Sequence, residues 1–183
     1  MARLIYVPVM HSDVEMGSAE FAYKAAFIAR FGEAKWQARC DEVDAIWGKI
    51  KEAIMKLDLD MKKVKLFQDS LPICGKEEDL MRDLATQGSR NHRLLESLVA
   101  AGAELVGTES PALLLEEYRL LQTADRTDAA ASELLERRDR FIAERIDAKL
   151  ADDETGLLFM GALHQVARFL PARIKVEYLA VRG

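Results

Sequence analysis

Cysteine is scarce in this chain. Cys40 and Cys74 are the only two among 183 residues. They lie far apart and form neither a CxxC pair nor a zinc spacing, which argues against a disulfide framework and a cysteine-based metal site. Two reduced thiols in a reducing compartment are the simpler reading. Positive charge is also in short supply: 26 Lys and Arg stand against 31 Asp and Glu, for a net charge of −5. Binding to phosphate needs a basic face, so nucleic acid is not expected as a partner. No apolar run approaches the roughly 20 residues that cross a bilayer. The first apolar run, about seven residues long, is too short for a signal-peptide core. The expectation is a cytoplasmic protein without a membrane partner. The glycines form no GxGxxG or Walker loop, so a nucleotide fingerprint is missing. No internal repeat and no low-complexity linker divides the chain.

What remains is ordinary for a globular domain. Half the residues are apolar and nearly a third are charged, and the length suits one domain, residues 1–183, with its own core. Residues 3–10 read as a strand that is apolar on both faces, as in the middle of an α/β sheet. A helix over 18–30 is apolar round most of its circumference, so it is either well buried or part of an oligomer interface, and Gly32 ends it. Residues 33–57 form a second helix whose stripe includes Trp36, Val43, Trp47, Ile50 and Ile54; the two tryptophans read as core. Residues 64–68 are a strand, 77–85 and 91–101 short helices, and 104–107 a short strand. Ser110 caps a helix that has Pro111 at its first position and runs to 121. Residues 125–150 are the longest helix, 157–160 a strand, 165–170 a short helical piece and 174–181 a last strand. Strands alternating with helices predict a single layered α/β domain. Its central sheet, mainly parallel or mixed, has about five strands, flanked by helices.

Histidine is rare too, with three in the chain, and two of them occupy equivalent places. The run Leu157 to Met160 ends in Gly161 and is followed by His164; the run Leu4 to Met10 ends in His11. Ligands of open α/β sheets bind at the carboxyl ends of the strands. The second and third strands end in acids, Asp69 and Glu109. Imidazole and carboxylate together suit manganese, cobalt, zinc or iron. A bound divalent ion would acidify water and polarise a carbonyl. Loops are polar in any case, and Glu109 has a second reading as a favourable charge at the N-terminus of the helix that begins at Pro111. His92, which opens a short helix, reads as a capping or surface residue.

The longest helix carries a clearer signal. At roughly 100° per residue, Leu134 and Ile142 fall about 40° to either side of Arg138, and Leu135 and Phe141 about 60° away. Arg138 is thus centred on the apolar stripe, with Arg145 near the same line. A guanidinium in that place needs a carboxylate or an anionic ligand. Two readings stay open: a buried bridge to Asp69 or Glu109, and an arginine that orients a site carboxylate or binds a substrate anion. Arg137, Arg140, Glu136 and Glu144 fall off the stripe and read as solvated.

The segment SELLERRDRFIAERIDAKLADDETGLLFMGALH, from Ser132 to His164, resembles the C-terminal half of the TraB/GumN family, in a superfamily with Tiki proteases, ChaN-like proteins and erythromycin esterases. The matching features are the pair Arg138-Asp139 on a long helix and Gly161-Ala162-Leu163-His164 after a strand. His11 and Asp69 occupy places similar to the family's first histidine and its acid after strand two. Pro8 stands where the first motif has glycine, and Asp69 replaces the usual glutamate. The resemblance implies an α/β fold with both histidines and an acid near one sheet edge, a site linked in Tiki proteins to metal-dependent peptide hydrolysis.

These residues lead to one expectation: a metal-dependent hydrolase acting on a peptide, ester or amide bond. His11, Asp69 and His164 are its expected ligands for Mn, Co or Zn, and Glu109 and Arg138 its catalytic groups. The partner is a small-molecule or peptide substrate. Two other classes fit the same residues: a non-catalytic module binding an anionic small molecule, and a homo-oligomer paired through its apolar N-terminal helix.

Overall fold

Five apolar runs lie side by side in one sheet: β1 Ala2–Pro8, β2 Val64–Gln68, β3 Glu104–Val106, β4 Thr155–Met160 and β5 Ile174–Tyr178. The structure is a computed structural model that describes residues 1–9, 19–123 and 127–181. The strand order is β3-β2-β4-β1-β5 and every pairing is parallel. The parallel form of the expected sheet is therefore the one adopted. β4 is central, with Leu157 in register with both Ile5 and Leu66.

Side chains of a strand alternate between the two faces. Ile5, Val7, Leu66, Leu157 and Phe159 pack on one side against Trp47, Ile50 and Ile54 of α2, Glu33–Met55, and Leu94, Leu95 and Leu98 of α4, Arg90–Ala100. Met81 of α3, Glu77–Thr86, joins them. Leu4, Tyr6, Phe67, Leu158 and Met160 face the other way, onto Ile142, Ala143 and Ile146 of α6, Asp128–Lys149. Covering both faces is what lets the strands read as continuous apolar runs. Trp36 and Trp47 are buried, as core residues should be.

The helix ends follow local chemistry. Thr127 and Ser110 accept from the backbone N–H groups of Ala130 and Leu113, capping α6 and α5, Pro111–Gln122. Gly32, at φ 86°, turns the chain between α1, Ala19–Phe31, and α2. Deep burial of α1 from Lys24 onward is not what the fold provides. From Lys24 onward it is half-buried or exposed, because it packs on α2 and not on the sheet. Phe27 meets Trp36 edge-on at 5.5 Å between ring centroids. No residue of α5 is buried, and Leu115, Tyr118 and Leu121 are exposed on it.

This topology places a crevice. The helices after β1 and β2 cover one face, and α6 and the 3₁₀ turn Val166–Phe169 cover the other. The chain leaving β4 thus leads to the opposite face from the helices that follow its neighbours β2 and β1. Such a switch point opens a cleft beyond the carboxyl ends of the strands. No helix among the described residues is long and apolar enough to cross a membrane.

Candidate active site

The alternation of β2 decides where its last residues point. Phe67 faces α6, so Gln68 faces the α4 side, where its Oε1 accepts from Asn91 Nδ2 at 2.9 Å. Asp69 returns to the α6 side. Its N–H donates to the Phe159 carbonyl at 2.8 Å, extending the β2–β4 ladder by one rung. Its Oδ2 accepts from the Gly161 N–H at 3.2 Å, tying the end of β2 to the loop after β4. Ser70 follows at φ 61°, a left-handed backbone unusual for serine. That conformation directs its N–H to Glu109 Oε1 at 3.2 Å, while its hydroxyl donates to Asp69 Oδ1 at 3.2 Å. Backbone strain of this kind persists where surrounding contacts over-determine it.

Arg138 enters from the sixth helix. Its Nε and Nη2 grip Glu109 in a bidentate pair at 3.0 and 2.6 Å. Nη2 also reaches Asp69 Oδ1 at 3.3 Å, and Nη1 donates to Glu117 of α5 at 2.5 Å. The side chains of Arg138 and Glu109 are 4% and 0% exposed. The apolar-stripe arginine is thus a buried bridge to both acids foreseen for it, and to a third. Burial lowers the Arg138 pKa, but the Glu109 bond and the charges of Glu109, Glu117 and Asp69 outweigh it, so the guanidinium is held even more firmly charged. Glu109 spends its carboxylate on Arg138 and Ser70, not on the start of α5.

His164 completes the group from the loop after β4. Its Nδ1 lies 2.6 Å from Asp139 Oδ1, and Asp139 Oδ2 accepts from the Gln165 N–H at 2.7 Å. Its Nε2 is 3.6 Å from Asp69 Oδ1. Burial depresses the His164 pKa; the Asp139 hydrogen bond and the Asp69 and Asp139 charges overcome that and raise it above 6.5. The buried Asp69–Glu109–His164 group offers ligand atoms within 4.8 Å of one another and could hold a metal ion. Its donor types suit one. Asp69 and His164 present atoms to a shared space. Glu109 has its Oε1 on Arg138 and Ser70 and its Oε2 on Arg138.

Four of the five expected site residues therefore converge: Asp69, Glu109, Arg138 and His164. His11 lies outside the described residues. Arg145 stands apart, donating from Nε to the Gly107 carbonyl at 2.9 Å. Arg137 and Arg140 pair at the surface with Glu116 and Glu136. His92 is not a surface residue: it is buried, with its Nδ1 2.7 Å from Oγ of Ser89, the cap of α4. Helix α4 packs on the core, and that carries its first turn inward. Glu117 and the orienting role of Asp139 escaped the sequence reading. Asp139 sits beside Arg138 and off the centre of the apolar stripe; its adjacency to Arg138 was the only signal. Glu117 had none, because it depends on how α5 lies against α6. No family model, no curated protein and no solved structure matches the chain.

Proposed function

We propose that this chain is a hydrolase of TraB/GumN-like type, acting on a peptide, ester or amide bond, with His164 as its general base. One observation carries the reading: a carboxylate, Asp139, holds the imidazole by Nδ1 and leaves Nε2 beside Asp69 in the switch-point crevice. An imidazole oriented in this way can take a proton from water or a hydroxyl at Nε2. Asp69 accepts from Arg138, Ser70 and Gly161, which holds it in place to orient the reacting group.

A divalent Mn, Co or Zn ion is the alternative use of the same atoms: it would be held by His164 Nε2, Asp69 and one oxygen of Glu109, with His11 as the further ligand the sequence motif offers, and His164 would then serve as a ligand and not as the base. When bound it would acidify water and polarise the scissile carbonyl. Binding requires His164 to release its proton, so metal affinity rises with pH. Three carboxylates around one guanidinium also favour a cation here. Arg138 acts as a positioning residue: nearly all of its donors go to Asp69, Glu109 and Glu117. That saturation weighs against an anion receptor centred on it.

The test is the metal content of protein purified without chelator, wild type and His164→Ala in parallel, with turnover of an ester, amide and peptide panel measured on both. Near-stoichiometric metal lost in the variant, together with lost turnover, supports the metallohydrolase. Turnover lost without metal in either supports the His164–Asp139 dyad acting alone. Turnover that survives His164→Ala, or none in wild type after incubation with manganese, cobalt or zinc, overturns the proposal.

A further inference from the structure

Beside His164 the carboxyl ends of β4, β1 and β5 leave a cavity of about 370 Å³, lined by Tyr6, Met160, Tyr178 and Leu179. That volume lies within the range of small-molecule sites. The two tyrosine rings are 5.2 Å apart between centroids, tilted by 33°. Besides His164, Gln165 and the Tyr178 hydroxyl, two further polar groups lie in this apolar wall. The Tyr6 hydroxyl accepts from the Ala167 N–H at 2.8 Å, and among the described residues no acceptor takes its own proton. Burial raises its pKa, so it remains a donor at all ordinary pH. Arg168, which also lines the cavity, donates to Gln165 Oε1 at 2.8 Å. Among the described residues no carboxylate lies within ion-pair distance of it.

A ligand that uses all of these groups in so small a space must carry a hydrolysable bond, an apolar group and an anion on neighbouring atoms. An N-acyl α-amino acid carries them on one carbon. We propose that the cavity is the subsite for an aromatic or large aliphatic amino acid bearing a free α-carboxylate and acylated on nitrogen. The inference rests on the hydrolase reading and names its substrate class. The side chain packs against Tyr6, Tyr178 and Met160, the carboxylate meets Arg168, and Tyr6 donates to an oxygen of the acyl group. Hydrolysis at His164 consumes one water. The C–N bond breaks, hydroxyl goes to the acyl carbon, and the proton goes to the departing amine.

The test is calorimetric titration of N-acetylphenylalanine, N-acetylglycine and N-acetylphenylalanine amide into wild type, His164→Ala and Arg168→Ala. N-acetylphenylalanine is expected to bind about tenfold or more tighter than N-acetylglycine, the worth of one buried aromatic group. It is expected to bind about fivefold tighter than the amide, a preference that Arg168→Ala abolishes. Equal affinity for the glycine compound, a carboxylate preference that survives Arg168→Ala, or no saturation at millimolar ligand overturns the subsite. Binding to His164→Ala separates the two readings. Specific binding there, with no turnover by wild type of this ligand or of the ester, amide and peptide panel, sinks the hydrolase and leaves the subsite standing. Turnover of other esters without this binding does the reverse.

Discussion

Arg138 and Glu109, 29 residues apart in sequence, form a two-pronged ion pair at 3.0 and 2.6 Å with both side chains shut off from solvent. Removing one member leaves the other charge buried. Glu109→Ala is therefore expected to lower the unfolding free energy by about 3–5 kcal/mol. Glu117→Ala cuts a bond to the same guanidinium, but Glu117 is 38% exposed, so its loss is about 1 kcal/mol or less. Urea denaturation of the two variants measures both. Equal losses would mean that burial does not set the strength of these contacts.

Asp139→Asn keeps the shape of the His164 contact and removes its charge. Turnover should fall about 10²–10⁴-fold while the protein stays folded, and the His164 pKa should fall with it. NMR titration of the His164 ring protons reports the second effect whatever the substrate. A His164 pKa that stays raised would show that Asp139 is not the group holding the imidazole.

The raised His164 pKa also sets a pH dependence. The folded state favours the protonated ring, so the stability it contributes is fully present below about 6.5 and is lost as pH rises through the higher folded value. The stability difference between wild type and His164→Asn should shrink from acidic to alkaline pH. Denaturant titrations across that span test the sign; a difference growing with pH contradicts it. Hydrolysis, which needs the neutral ring, should rise over the same window.

Gly107 stands in the turn that delivers Glu109. A Cβ there would lie 2.9 Å from Ile73 Cα, 3.2 Å from the Pro72 carbonyl and 2.7 Å from Glu77 Oε1. Two of these neighbours are backbone, so Gly107→Ala should cost about 1–3 kcal/mol and shift the His164 resonances as Glu109 moves. Gly48, in the second helix, has nothing within 4 Å of the same position. Gly48→Ala should instead stabilise by up to about 1 kcal/mol. Thermal melts of the two variants moving in the same direction would refute the contrast.

Sequence alone determined the parts that local chemistry controls. Residues 64–68 read as a strand and are one, because a short apolar run bounded by turn residues has few other folds open to it. Ser110 and Pro111 start a helix because the hydroxyl caps it and the proline needs no donor. Arg138 had to find carboxylates or an anionic ligand, because an apolar stripe cannot hold a bare guanidinium. Tertiary structure decided which ones, since Asp69, Glu109 and Glu117 meet only once the second and third strands and the fifth helix are set around the sixth. The same holds for His164. Its motif marked it, but its partner Asp139 lies on another element, and neither spacing nor periodicity reports the angle at which that helix crosses the sheet. The exposure of the first helix was also beyond the sequence. An all-round apolar surface says that something covers a helix, and only the packed chain shows that the sheet does not.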